Sequence, residues 1–389
     1  MYPVNCSPRS KGLEINWGNK DLMRELYGKV GRATIEGLFE KVCLPNSIIS
    51  IHPMQSGLSG AFVLKVHISH PVRPDEVLQV VKIGRSEQIK LETKNFEEHA
   101  YRSLNPTPKL IHFAGEDGWS ISSFSFESGK ILADQILELT FSNRQKHLSE
   151  LIDVVLKYFE PWHSRRRMEL VSVAAEKYRL KSGYFEDFER LRSELNSQNR
   201  FPLPPSAPLN FASREWYRFK KILTLLCTCH GDLHPFNVLL GKAGPCAIDF
   251  QFTAADHHFL KDFVLLEMDA LLKVLAPRQL IPSYDFQLFL DIKNYLFEVE
   301  VDGFLLKKAC ASGPRAKAAI CIARRIREHA WRAMDGKAQH ICEYFIGLLR
   351  YAISRAGQAN SGLTDAQRCI AIHFAFELDK KLDVWMQRN

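Results

Sequence analysis

Asp232, Asn237 and Asp249 are the side chains of this sequence best suited to chemistry, because each offers oxygen and their spacing gathers them. The stretch His230–Gly231–Asp232–Leu233–His234–Pro235–Phe236–Asn237–Val238–Leu239–Leu240 is followed shortly by Cys246–Ala247–Ile248–Asp249–Phe250. Val238–Leu240 and Cys246–Phe250 are short apolar runs joined by Gly241–Lys242–Ala243–Gly244–Pro245, which predicts a hairpin. Such a hairpin returns Asp249 towards Asn237, with Asp232 on the loop just before the first strand. A carboxylate beside an amide oxygen suits Mg²⁺, a hard cation that keeps several waters and takes few protein ligands. The other carboxylate, Asp232, is then placed to accept the proton of an attacking hydroxyl or to orient it. The plainer alternative is a buried polar network that only braces a loop.

The string resembles the aminoglycoside phosphotransferase/choline kinase-like family, whose signature is an HGDxHxxN loop followed by an apolar strand carrying a metal-binding Asp. The loop matches at His230, Asp232, His234 and Asn237, and the strand matches at Asp249. Asp232 also stands five positions ahead of Asn237, the spacing of a kinase catalytic loop. The resemblance implies an α+β, bilobal protein kinase-like fold, with a small N-terminal antiparallel sheet lobe that includes a helix and a larger, mostly helical C-terminal lobe. It implies ATP and Mg²⁺ as cofactors, Asp232 as the catalytic residue, and Asn237 and Asp249 as metal ligands. It covers roughly Gln55–Leu272. One departure is Gln251, which follows Asp249–Phe250 where protein kinases commonly carry Gly.

The elements that must position these residues begin with a leading helix. Asp21–Lys41 carries Leu22, Leu26, Val30, Ile35, Leu38 and Phe39 as a helical stripe interrupted by glycines. Ser47–Pro53 and Ala61–Ile68 read as strands around Gln55–Ser56–Gly57–Leu58–Ser59–Gly60. Glycines there let backbone N–H groups approach phosphates, so Ser56, Gly57, Ser59 and Gly60 are the candidate nucleotide loop; an ordinary turn has the same composition. Val77–Gly84 is a strand bearing Lys82 among β-branched neighbours, where a lysine facing solvent is the bland reading. By resemblance Lys82 contacts the α- and β-phosphates. The helical segment Glu87–Leu104 follows, and by the same resemblance its Glu92 pairs with Lys82, with Glu97 and Glu98 as rivals.

Thr107–Phe113 and Trp119–Phe126 read as strands, the second alternating large apolar with small polar residues. Phe126–Gly129 is the hinge that the resemblance implies, and a plain loop fits it equally. The expected lobes are residues 1–127 and 128–389. Leu148–Phe159, Met168–Arg179, Tyr184–Asn199 and Glu215–Cys229 fit helices. The proline-rich Phe201–Pro208 must be a loop. Arg165–Arg167 reads as a solvated charge run, since no aromatic residues interleave it. Lys261–Leu272 is a helix with acids on it; the resemblance points to Asp262 as a brace for the catalytic loop, with Asp256, Glu267 and Asp269 competing. His230 reads as a further brace, and His234 fits substrate contact and loop filling equally. The segment Tyr284–Asn389 carries helical stripes at Ile320–Ala333, Ile341–Ile353 and Cys369–Met386, interrupted at Gly357–Thr364, with no evident chemistry.

Composition sets the outer bounds. At 389 residues the chain exceeds the usual single core, so two lobes are expected. Hydrophobic residues at 46% and charged residues at 25% exclude wholesale disorder. A net charge of +8 suits anionic ligands without indicating nucleic acid, and none is expected as a partner. Nine scattered cysteines, with Cys227 and Cys229 read as packed thiols, indicate a reducing, cytoplasmic setting. No apolar span reaches membrane length, so membrane insertion is not expected. The expected activity is transfer of the ATP γ-phosphate to a hydroxyl of an aminoglycoside-, choline- or sugar-like small molecule. Two alternatives stay open: a protein kinase or signalling effector of the same fold, and a nucleotide-binding pseudoenzyme that acts as an interaction module with a protein partner.

Overall fold

Strand β3 (Phe62–His70) buries Phe62, Leu64 and Val66 and leaves Val63, Lys65 and His67 half-buried, the two-residue period of a strand with one face on a core. It lies in a six-stranded sheet of order β1 (Glu14–Trp17), β2 (Ile48–Pro53), β3, β4 (Arg73–Arg85), β6 (Trp119–Ser125) and β5 (Leu110–Glu116). All neighbours are antiparallel except β1 and β2, which run parallel. The computed structural model describes residues 13–54, 61–71, 73–125, 129–172, 184–197, 203–204, 209, 221–278, 284–297, 300–358 and 362–388. Ser56, Gly57, Ser59 and Gly60 lie outside the described residues, as do positions 126–128 of the expected hinge.

Two helices, α1 (Lys20–Val30) and α2 (Arg32–Val42), cover the sheet. Leu26, Ile35, Leu38 and Phe39 pack with Ile49, Ile51, Leu64, Val66, Val81, Ile83 and Ile121. The single interrupted helix expected over 21–41 is therefore two. Gly31, at φ +97°, takes a conformation that other residues rarely adopt and breaks the run. Helix α3 (Ser86–Asn95) follows β4 and continues into a π-helical turn, Phe96–Ala100. These elements form one compact unit, Met1–Arg102 with Thr107–Ser128 and Asp249–Gln251.

The second unit comprises Ser103–Pro106, Gly129–Ile248 and Phe252–Asn389. Among the described residues it holds two three-stranded sheets, ordered β11 (Gly244–Ala247), β10 (Val238–Gly241), β7 (Gly129–Ile131) and β12 (Ala254–His258), β9 (Lys221–Cys229), β8 (Arg167–Ser172). In the first, β10 (Val238–Gly241) and β11 (Gly244–Ala247) form the expected hairpin, paired Val238 to Ala247 and Gly241 to Gly244, while β7 (Gly129–Ile131) adds at its edge. The turn is only Lys242–Ala243, tighter than the Gly241–Pro245 turn expected. The second sheet corrects the sequence reading. Its strands are β8 (Arg167–Ser172), β9 (Lys221–Cys229) and β12 (Ala254–His258), where Met168–Arg179 and Glu215–Cys229 had helical patterns. An apolar run cannot separate strand from helix by period alone. In β9 the inward Thr224 and Leu226 alternate with the exposed Leu223, and β-branched Thr224 and Thr228 favour the pleat. Positions 173–179 and 215–220 lie outside the described residues.

Helices α4 (Leu132–Phe141), α5 (Gln145–His163) and α6 (Tyr184–Ser197) are followed by the helices Lys261–Asp269, Tyr284–Asp291, Pro314–Ala333, Gln339–Gly357 and Asp365–Arg388. Among the described residues, no helix is long and apolar enough to cross a membrane. Lys261–Asp269 is buried along its whole length, so its charged residues need partners. Glu267 receives Arg327 Nε at 3.0 and 3.1 Å and the Tyr344 hydroxyl at 2.6 Å. Arg327 also donates Nη1 to the Leu296 carbonyl at 2.6 Å. One ion pair thus ties three helices, and both partners are fully buried. Removing one partner leaves an uncompensated charge, so Arg327→Met is expected to cost about 3–5 kcal/mol in denaturant unfolding. A loss below about 1 kcal/mol would show that the pair does not hold these helices together.

Candidate active site

In the sheet unit, the β4 register places Lys82 between Val63 of β3 and Ser122 of β6, in the middle of the sheet. Its Nζ lies 2.7 Å from Glu92 Oε1 and 3.2 Å from Asp249 Oδ1. Burial works against the Lys82 ammonium, but the carboxylates of Glu92 and Asp249 outweigh it and raise its pKa above the ordinary lysine value. Burial, helped by the negative charge of Asp249, raises the Glu92 carboxyl, while Lys82 opposes that rise. Glu97 and Glu98 are exposed, and Glu98 faces Lys94 instead.

Asp249 does not sit on a strand. Strand β11 ends at Ala247, and Asp249 has φ +66°, a left-handed conformation that Asp tolerates better than most residues. The expectation that the strand runs through Cys246–Phe250 is corrected accordingly. The segment is held by α3: Asn95 Nδ2 donates to the carbonyls of Phe250 at 3.2 Å and Gln251 at 3.0 Å. The Phe250 ring packs 5.2 Å from Phe96. These contacts bring Lys82, Glu92 and Asp249 together.

Asp232 and Asn237 form the other grouping, on the loop between β9 and β10 in the helical unit. Asp262 holds the start of that loop. Its Oδ2 accepts the His230 N–H at 2.8 Å, its Oδ1 accepts the Gly231 N–H at 3.0 Å, and His163 Nε2 lies 3.1 Å from Oδ2. Burial opposes the Asp262 carboxylate, but the His163 and His230 contacts win and hold its pKa below the usual value. Gly231 has φ +78°, and a Cβ there would lie 2.2 Å from the Phe252 carbonyl oxygen, so only glycine fits. His230 Nε2 donates to the Ile248 carbonyl at 2.9 Å. Asn237 Nδ2 donates to the Asp232 carbonyl at 3.0 Å, which turns the Asn237 Oδ1 the other way. The bracing uses the backbone of Asp232, and its side chain remains 29% exposed. His234 Nε2 is 3.6 Å from Asp232 Oδ2. Burial lowers the His234 pKa to about 4, so the ring is neutral at physiological pH.

A family model described as "Phosphotransferase enzyme family" matches residues 55–270, more than half of the chain. The chain belongs to that family. Its fold class is the α+β, protein kinase-like one, with a small, mainly antiparallel sheet unit and a larger, mostly helical unit. A second model, "Ternary complex associated domain 9", matches residues 206–355. No curated protein matches the sequence significantly. Similar solved structures include a thermostable mutant aminoglycoside phosphotransferase in ternary complex with ADP and hygromycin B (10% identity, 84% of this chain and 93% of that one, TM-score 0.41). Others are an ethanolamine kinase of Plasmodium vivax (10% identity, 92% and 89%, TM-score 0.36) and a Mycobacterium tuberculosis kinase domain (13% identity, 76% and 98%, TM-score 0.30).

The match to the phosphotransferase family stops short of three residues that crowd Asp232. Arg355 Nη2 lies 3.9 Å from Asp232 Oδ1 and also forks onto Asp269, with Nε at 3.1 Å and Nη2 at 3.0 Å. Lys273 Nζ is 3.0 Å from Asp269 Oδ2, and the Tyr351 hydroxyl donates to the same oxygen at 3.1 Å. Asp269 was among the competing carboxylates, but Lys273, Tyr351 and Arg355 escaped the sequence reading. Their one signal is polar spacing: Asp269/Lys273 and Tyr351/Arg355 are i,i+4 pairs within otherwise apolar helices. Burial opposes the Asp269 carboxylate, but Arg355 and Lys273 bring its pKa down from 3.8 to about 2. A carboxyl with a depressed folded pKa contributes its full stability above its unfolded pKa, near 4, and loses it as pH falls through the folded value. Acid unfolding is therefore expected to steepen between about pH 4 and pH 2, and Asp269→Asn to flatten that limb in urea titrations across the same range. An unchanged slope in the variant would count against this account.

Proposed function

We propose that this phosphotransferase moves the γ-phosphate of ATP to a hydroxyl of a small molecule, an aminoglycoside-, choline- or sugar-like alcohol, with Mg²⁺ as cofactor. The observation that carries the reading is the braced loop: Asp262 and Asn237 hold the backbone around Asp232 and leave its carboxylate partly exposed. Such a carboxylate accepts the proton of an attacking hydroxyl or orients it, and phosphoryl transfer asks for little more than positioning and charge neutralisation. In this reading residues 1–127 are the nucleotide-binding lobe and 128–389 the lobe carrying the catalytic loop; the change of compact unit after Ser128 supports that division.

Lys82 holds the α- and β-phosphates, with Glu92 fixing its direction from 2.7 Å. Ser56, Gly57, Ser59 and Gly60 cover the phosphates, a role supported by their sequence alone. Asn237 and Asp249 are the metal ligands. They fit Mg²⁺ by donor chemistry, an amide oxygen and a carboxylate, and the Asn237 oxygen is oriented by the bond its nitrogen makes to Asp232. When bound, Mg²⁺ neutralises charge on the phosphates. His230 braces the loop, and the neutral His234 ring limits the directions open to the Asp232 carboxylate. A cytoplasmic setting belongs to this reading and is supported by the scattered cysteine usage of the sequence.

The "Ternary complex associated domain 9" match favours a second reading, a signalling effector or interaction module working within an assembly. The discriminating experiment is a screen of a metabolite extract with γ-labelled ATP, comparing wild type with Asp232→Asn. A labelled small-molecule product is expected with wild type, falling about 10²–10⁴-fold in the variant with nucleotide binding retained. Chelation of Mg²⁺ should abolish transfer, and Lys82→Ala should weaken nucleotide affinity. Equal product from Asp232→Asn would remove Asp232 from the chemistry. Labelling of peptides alone, or nucleotide binding without turnover of any acceptor, would move the assignment to the second reading.

A further inference from the structure

The charges around Asp232 bear on the acceptor. Asp232 and Asp269 face Arg355 and Lys273, so the two carboxylates and two cations of the cluster balance. Both oxygens of Asp269 are already taken, one by Arg355 Nε and the other by Arg355 Nη2, Lys273 and Tyr351. Asp269 is fully buried, and Arg355 and Lys273 are each 8% exposed, so charge added here is poorly screened.

The balance discriminates among acceptors. An ammonium-bearing alcohol needs a carboxylate with unused lone pairs besides the one that serves its hydroxyl. The described residues of this cluster provide none, and Arg355 and Lys273 repel a third cation. A carboxylate- or phosphate-bearing alcohol meets Asp232, whose charge must persist if it is to take a proton, with Asp269 behind it. An uncharged alcohol adds no charge. Its hydroxyl oxygens can accept from the Lys273 ammonium, which carries three protons and has a described contact only to Asp269. The two cations and Tyr351 lie beyond the matched phosphotransferase region and within the second match, residues 206–355.

We propose that Arg355 and Lys273 select an uncharged polyhydroxyl acceptor, sugar-like in its chemistry, and reject cationic amino alcohols and aminoglycosides. This rests on the phosphotransferase reading above and narrows it.

The test uses matched acceptor series on several sugar skeletons, each comprising the neutral sugar, its amino derivative and its sugar acid. The readout is Asp232-dependent turnover of labelled ATP, followed both as transfer to each compound and as inhibition of transfer to water. Neutral members are expected to be preferred over amino members by about tenfold or more in kcat/KM, the scale of a like-charge contact. Lys273→Met should shrink that preference severalfold, and Arg355→Lys, which keeps the charge, should preserve it even where stability falls. Amino or acid members used as well as neutral ones, or no response to any neutral member, overturns the proposal while leaving the phosphotransferase reading intact. ATP turnover that is indifferent to Asp232→Asn overturns that reading, and the proposal with it.

Discussion

The buried Asp262 carboxylate is the constraint on which the loop carrying Asp232 depends. It lies at the start of a helix with no exposed residue and accepts two consecutive backbone N–H groups, those of His230 and Gly231, within 3.0 Å. Hydrogen bonds to a charged acceptor are about twice as strong as neutral ones, and an unsatisfied buried carboxylate is costly, so this contact is made only with the loop in one position. The same position brings the Gly231 Cα against the Phe252 carbonyl, where no side chain fits. Further along the loop, Asn237 closes onto the Asp232 carbonyl. The backbone of Asp232 is held from both sides while its carboxylate stays partly exposed.

Lys82 is held by a different device. A buried ammonium in the middle of a sheet is unfavourable unless paired, and Lys82 has two carboxylates within 3.2 Å. The acid from α3, Glu92, is itself buried and raised in pKa, whereas Asp249 reaches Lys82 only because its backbone leaves the strand path at φ +66°. Asn95 and Phe96, at the junction of α3 with its π-helical turn, secure that departure through the Phe250 and Gln251 carbonyls and the Phe250 ring. One helix therefore sets both acids that face the lysine. A π-helical turn so close to this triad fits the tendency of such turns to occur at functional sites.

What the sequence made legible divides along physical lines. The β10–β11 hairpin was readable because glycines flank a tight turn between apolar runs, and the C-terminal helices because their stripes are long. Strands β8 and β9 carry a helix-like pattern, since Leu, Met and Cys runs with exposed apolar residues such as Met168, Leu170 and Leu223 blur the polar alternation of a half-buried strand. The parallel strand β1 is four residues long and paired far from itself in sequence, below any local signal. Asp232, Asn237 and Asp249 stood out because the resembled motif fixes their spacing. Arg355 did not, because its partners Asp269 and Asp232 are distant in the chain and its helix otherwise reads as packing. Long-range charge pairing leaves only an i,i+4 polar echo in each helix, and that echo is common in solvated helices too.

The two buried charge clusters of the helical unit show how similar parts reach different ends. Arg327 and Glu267 are both fully buried, and among the described residues their side-chain hydrogen bonds run to each other, a tyrosine or a backbone carbonyl. Both partners are closed off from solvent, so the pair acts on helix arrangement, and its desolvation cost makes it a better guarantor of that arrangement than of net stability. Arg355 and Asp269 repeat the fork but add Lys273 and then Asp232, whose side chain is partly exposed. A network with one end in the core and the other at an accessible carboxylate transmits the rigidity of the core to that carboxylate. It also fixes the balance of two carboxylates and two cations around that carboxylate. The charge that surrounds Asp232 is therefore set by the packing of the helices Lys261–Asp269 and Gln339–Gly357 against each other.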